Sequence, residues 1–125
     1  MTTKYLNTDL EIDSIDDVTP IVEEFGEAVV CLYYAPWGAH KRAAFELAGV
    51  VFQDASACIR TFCALVEGLG PEARALWDGC ARRVFDIGFE AGRERDNCQQ
   101  SIDHDALAQV AAVRAHLVIT VYPAQ

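Results

Sequence analysis

Basic residues are almost missing from the first third of the chain. Among residues 1–40, Lys4 stands alone against Asp9, Glu11, Asp13, Asp16, Asp17, Glu23, Glu24 and Glu27, a net charge of −7. The other 85 residues carry eleven acids and nine bases, so the total of −9 is lopsided. Nucleic acid and anionic membrane both require a basic footprint, and this distribution argues against either as a direct partner. A basic protein partner is compatible with it.

Paired cysteines are also lacking. The five cysteines, at 31, 58, 63, 80 and 98, are odd in number and form no C-x-x-C pair, which argues against a disulfide framework and a zinc ribbon. Cys58 and Cys63 lie five apart, a spacing that does not align two ligands on one helix face. Cys31, Cys58 and Cys63 are expected in the core, where free cysteine buries readily.

No apolar run is long enough to cross a bilayer: the longest, 28–39, is broken by Pro36 and Gly38. The first residues show no apolar stretch of a signal peptide, so a cytoplasmic location is expected. The motifs of several chemistries are absent. There is no G-x-S-x-G, P-loop or dinucleotide fingerprint, no D-x-D-x-D-G loop and no H-E-x-x-H. A nucleophilic Cys80 or Cys98 would need a base that the sequence does not identify. Ser101 beside His104 reads as helix-cap chemistry. No cofactor, metal or catalytic residue is expected, and an enzymatic role is not favoured.

What is present is a folded chain. At 125 residues with 52% hydrophobic and 23% charged content, it suits a single domain that buries about two-thirds of its unfolded surface. Residues 81–90 alternate most clearly: Phe85, Ile87 and Phe89 on one side, Arg82, Asp86, Gly88 and Glu90 on the other, with Val84 as an apolar intruder. That is a strand with one buried and one wet face. Residues 4–13 repeat the pattern, Leu6, Thr8, Leu10 and Ile12 against Asn7, Asp9, Glu11 and Asp13.

Between these strands, Ser14 is placed to cap a helix carrying Ile15, Val18, Val22 and Phe25 and ended by Gly26. Pro20 demands a kink or a fresh start at Thr19–Pro20. Residues 29–34 are apolar throughout, as in an interior strand or one covered on both faces; at an exposed edge they would invite pairing with another chain. A loop of about six residues around Pro36, Trp37 and Gly38 leads to a partner strand at 41–47, with Phe45 and Leu47 inward.

The plainest helix begins near Asp54, with Ile59, Phe62, Cys63, Val66 and Leu69 at helical spacing until Gly70 and Pro71. A short helix at 71–78 should bury Trp77. Residues 91–100 form a polar loop, the best candidate for a mobile segment. Asp103 then caps a helix with Leu107, Val110 and Ala111 inward, and residues 117–122 close as a strand before Pro123.

The order predicts an α+β domain: a five-stranded, mostly antiparallel sheet, ferredoxin-like βαββαβ plus an appended αβ, with helices on one face. The other face is left open and polar. It should carry Asn7, Asp9, Glu11, Arg42, Glu46, Arg82, Asp86, Glu90, Thr120 and Tyr122, with Tyr33 or Tyr34 according to register. Arg42 and Arg82 are expected to pair with Glu46 and Asp86.

The segments YLNTDLEI (5–12), FEL (45–47), RVFDIGFEAG (83–92) and LAQVAAVRAHLVITVYP (107–123) resemble small bacterial α+β domains of unknown function. Several acidic domains of that build resemble immunity proteins, which cover the site of a basic toxin. The resemblance implies the fold and a protein-binding role, and transfers no active site.

Two uses are therefore expected. The first is an acidic protein-binding module, immunity-like, docking a basic partner through Asp16, Asp17, Glu23, Glu24 and Glu27, with Trp37 at the hairpin tip as an anchor. The alternative is a small-ligand or regulatory domain using the open face. Oligomeric state is left open.

Overall fold

The computed structural model describes residues 2–49, 54–93 and 97–124. The alternating segments form the strands: β1 (Lys4–Ser14), β2 (Val29–Trp37), β3 (His40–Leu47), β4 (Arg82–Glu90) and β5 (His116–Tyr122). They make one mixed sheet in the order β2-β3-β1-β4-β5. The β1–β3, β1–β4 and β2–β3 pairs are antiparallel, and β4–β5 is parallel. Four helices complete an α+β architecture: α1 (Thr19–Phe25), α2 (Ala55–Glu67), α3 (Pro71–Asp78) and α4 (His104–Ala112).

One sheet face receives all four helices. Leu10, Ile12, Phe45, Phe85 and Ile87 share a single buried cluster with Ile21 and Phe25 of α1, Ile59, Phe62 and Val66 of α2, Trp77 of α3 and Val110 of α4. Phe25 meets Phe45 edge-on at 5.4 Å, and Phe62 meets Phe85 at 5.8 Å. Ala44 and Val84 point to the opposite face, are buried there by neighbouring side chains and lie outside that cluster. Val84 thus keeps the alternation and is shielded in its row between Glu11 and His116.

Several expectations are corrected. The uninterrupted run 29–34 is an edge strand, with Val30, Leu32 and Tyr33 each 40–45% exposed. A continuous apolar run has no periodicity to separate an edge from an interior strand. Cys31 is consequently exposed, unlike Cys58 and Cys63, which are buried. The six-residue loop shrinks to Gly38–Ala39, because β2 continues through Pro36 to Trp37. Gly38 supplies the positive φ of 62° at the first turn position, which L side chains adopt reluctantly.

Ser14 ends β1 instead of capping α1; its Oγ accepts the Asp16 N–H at 3.0 Å. The helix makes its fresh start at Thr19–Pro20, where a missing N–H costs nothing, and Ile15 is left 69% exposed in the link. On α4 the inward stripe is Ala106, Val110 and, just past the helix, Val113, while Leu107 and Ala111 face water. Among the described part of the expected loop, Ala91 and Gly92 are tied down: Ala91 N–H donates to the Tyr122 carbonyl and Gly92 N–H to Thr3 Oγ1, both at 2.8 Å. Residues 94–96 of that loop lie outside the described residues.

Candidate functional site

On the open face, cross-strand register sets side chains of β1, β3 and β4 in rows. Asp13 stands opposite both Arg42 and Arg82. Arg42 takes Asp13 in a two-pronged contact, Nε to Oδ1 at 2.6 Å and Nη2 to Oδ2 at 2.9 Å. It also reaches Glu11 at 3.6 Å and lies 3.9 Å over the Trp37 ring. Arg82 Nη1 contacts Glu11 Oε1 at 2.5 Å, and the Tyr33 hydroxyl donates to Glu11 Oε2 at 3.1 Å. The Arg42 guanidinium holds the Asp13 carboxyl below its usual range.

The expected pairs are therefore replaced. Neither arginine takes Glu46 or Asp86, because Asp13 and Glu11 stand nearer in register. Asp13 is the member that residue type alone did not single out; its place in the β1 alternation was the available signal. Tyr33, not Tyr34, joins this face.

Asp86 lies opposite Asp9, with Glu46 beside Asp9 on the other flank. Asp86 accepts from the Thr120 hydroxyl at 2.7 Å, and Asp9 from Asn7 Nδ2 at 3.2 Å. Partial burial, then the charges of Glu46, Asp86 and Glu11, push the Asp9 carboxyl up to about 6. Glu90 is half-buried at the end of its row, between Lys4 and Tyr122. Tyr122 is 48% exposed. Among the described residues no group of three His, Cys, Asp or Glu side chains has metal-holding geometry.

The second locus is the outer edge of the sheet. Tyr34 of β2 joins α1 to the strand: its hydroxyl accepts the Val18 N–H at 2.8 Å and donates to Asp17 Oδ1 at 2.6 Å. The Tyr34 hydroxyl and the Thr19 donors pull the Asp17 carboxyl down to about 2. Asp17, Tyr34, Ala35, Pro36 and Lys41 line a groove of about 280 Å³ beside this edge. Glu24 caps α3, accepting the Gly70 N–H at 2.8 Å.

Asp16, Glu23 and Glu27 are exposed, and among the described residues their carboxylates have no hydrogen-bond or ion-pair partner. Glu27 lies two residues before β2, in a 3-10 turn, Gly26–Ala28. Trp37 ends the strand, 56% exposed. The six residues nominated for partner binding thus fall into two kinds. Asp17 and Glu24 serve the fold, whereas Asp16, Glu23, Glu27 and one face of Trp37 are free to meet another molecule.

No helix among the described residues is long and apolar enough to cross a membrane. No protein-family model, curated protein or solved structure matches the chain significantly, so the resemblance drawn above rests on the sequence segments alone.

Proposed function

We propose that the chain is an acidic protein-binding module, immunity-like in mode, that docks a basic partner on the α1–β2 edge. The observation that carries this reading is a juxtaposition. β2 has no charged residue from Val29 to Trp37, pairs with no strand along its outer side among the described residues, and shows Val30, Leu32, Tyr33 and Trp37 to solvent. Acids flanking α1 border it: Asp17 accepts from the Tyr34 hydroxyl of β2, and Glu27 lies two residues ahead of the strand. Apolar contact area and a negative rim together suit a basic surface docking along this edge.

Saturation of the open face favours this edge over the ligand-binding alternative. Arg42 and Arg82 already hold carboxylates there, so they offer a ligand little unspent charge. On the same reading the spatial order β4-β1-β3-β2, every neighbour antiparallel, is the ferredoxin-like part of the fold, and β5 is the addition.

The test is affinity capture with wild type beside D16N/E23Q/E27Q and W37A. Wild type should retain an identifiable protein of high isoelectric point and release it as salt rises, and both variants should retain it less. Capture of neutral or acidic proteins alone, insensitive to salt and to the substitutions, would overturn the proposal.

A further inference from the structure

The opposite edge, β5, makes a different offer. Edge strands are ordinarily blunted by charge, proline or a bulge, and β2 carries two of these, Pro36 and an irregularity at Leu32. Leu117–Tyr122 carries none: it has no charged residue and no proline, and its register with β4 runs unbroken from His116 to Tyr122. Ile119 and Val121 stand opposite Ile87 and Phe89 on the helix-covered face, yet they are 66% and 59% exposed. With Phe89, Thr3, Cys98 and Gln100 they line an open groove of about 280 Å³.

Charge indicates what can cover this edge. Residues 81–125, which include β4, α4 and β5, hold six acids and five bases, a net of −1 against −7 for residues 1–40. Asp17 is bonded to Tyr34 of β2 and Glu27 lies two residues ahead of that strand, at the far side of the sheet. Two copies meeting at β5 keep their acidic ends apart, whereas two copies meeting at β2 bring them together.

We propose that β5 is the contact between two copies of this chain, paired antiparallel about a two-fold axis into one continuous ten-stranded sheet. An isologous contact requires a self-complementary surface. Leu117–Tyr122 meets that requirement: on reversal, Ile119 and Val121 fall beside the Ile119 and Val121 of the second copy on one face. On the other face Thr120 falls opposite Thr120 and Tyr122 opposite Val118. The pairing engages the outer main-chain groups of β5, which pair with no strand among the described residues, extends the apolar layer over both grooves and leaves the α1–β2 edges outward. It does not depend on the partner proposed for those edges.

Sedimentation velocity on the full chain across a dilution series tests it, with I119K/V121K and L32K alongside. Wild type should be a dimer that dissociates on dilution. I119K/V121K should be monomeric with an unchanged circular dichroism spectrum, and L32K should dimerise as wild type does. The milder I119T/V121T keeps β-branched side chains in the strand and should raise the dimer dissociation constant roughly tenfold or more; it decides the matter if the lysine variant does not fold. A wild type that stays monomeric at every concentration, or a dimer lost in L32K and kept in the β5 variants, would overturn the proposal.

Discussion

Asp9 shows how one side chain can work against the fold that holds it. Its neighbours across the strands are carboxylates, and the arginines that could relieve them are held by Asp13 and Glu11. With its pKa raised from 3.8 to about 6, Asp9 binds a proton more readily folded than unfolded. Its contribution to stability therefore falls as pH rises between those two values and stays at the lower level above them. D9N keeps the shape and removes the charge. It should raise stability above about pH 7, by on the order of 1 kcal/mol once solvent screening is allowed for, with a matching rise in Tm, and should match wild type below about pH 4. Thermal melts across pH check this. D13N should have the opposite sign. Asp13 is held low by Arg42, so its stabilisation is complete above its unfolded value and is lost as pH falls through the depressed one.

Helix ends decide how the helical layer is fastened. Asp103 accepts the Ala106 N–H at 2.8 Å and forms an ion pair with Arg60 of α2. Its own N–H donates to Ser56 Oγ at 2.9 Å. D103A should lower stability measurably, most of the loss being the cap. R60A should cost less, about 0.2–1 kcal/mol, since exposed ion pairs are weak. Urea unfolding of both variants separates the two contributions. This cap was legible in the sequence, as were the helix start near Asp54 and the stop at Gly79, because each depends on local chain chemistry. α2 ends earlier than expected, at Glu67 with Gly68 as its cap, instead of running through Leu69 to Gly70. The course of α4 was not legible. Its inward stripe runs through Ala106, whose small side chain gives a weak signal beside Leu107. Arg83 was missed for another reason. It lies on the inward side of β4 and donates Nη1 to the Trp77 and Cys80 carbonyls at 3.0 and 2.8 Å, and Nε to the Arg114 carbonyl at 2.9 Å. Only the fold brings those carbonyls together. The open face was legible as a set of residues, since alternation fixes sides. Its pairings were not, since register decides them.

Across the molecule, stability and the proposed binding role pull in opposite directions. Glu23 and Glu24 sit in the last turn of α1, the negative end of the helix, with no basic residue there. Glu27 follows within three residues, and Asp16 and Asp17 precede the helix. Asp17 and Glu24 are engaged in the fold. A sequence shaped for stability alone, however, would not leave Glu23 and Glu27, unpartnered among the described residues, at the negative end of α1. Their concentration near an uncharged strand is what a basic partner would require. E23Q/E27Q should therefore stabilise the isolated chain, by about 0.5–1 kcal/mol at low ionic strength. The gain should shrink as added salt screens the repulsion in wild type. The same substitutions should weaken capture of the basic partner, the exchange of stability for function expected of a binding surface. Melts of wild type and variant at low and high salt, set beside the capture experiment, decide between two readings of the acids. A variant no more stable than wild type at low salt would show that these carboxylates carry no cost to the fold. Their clustering would then need no partner to explain it.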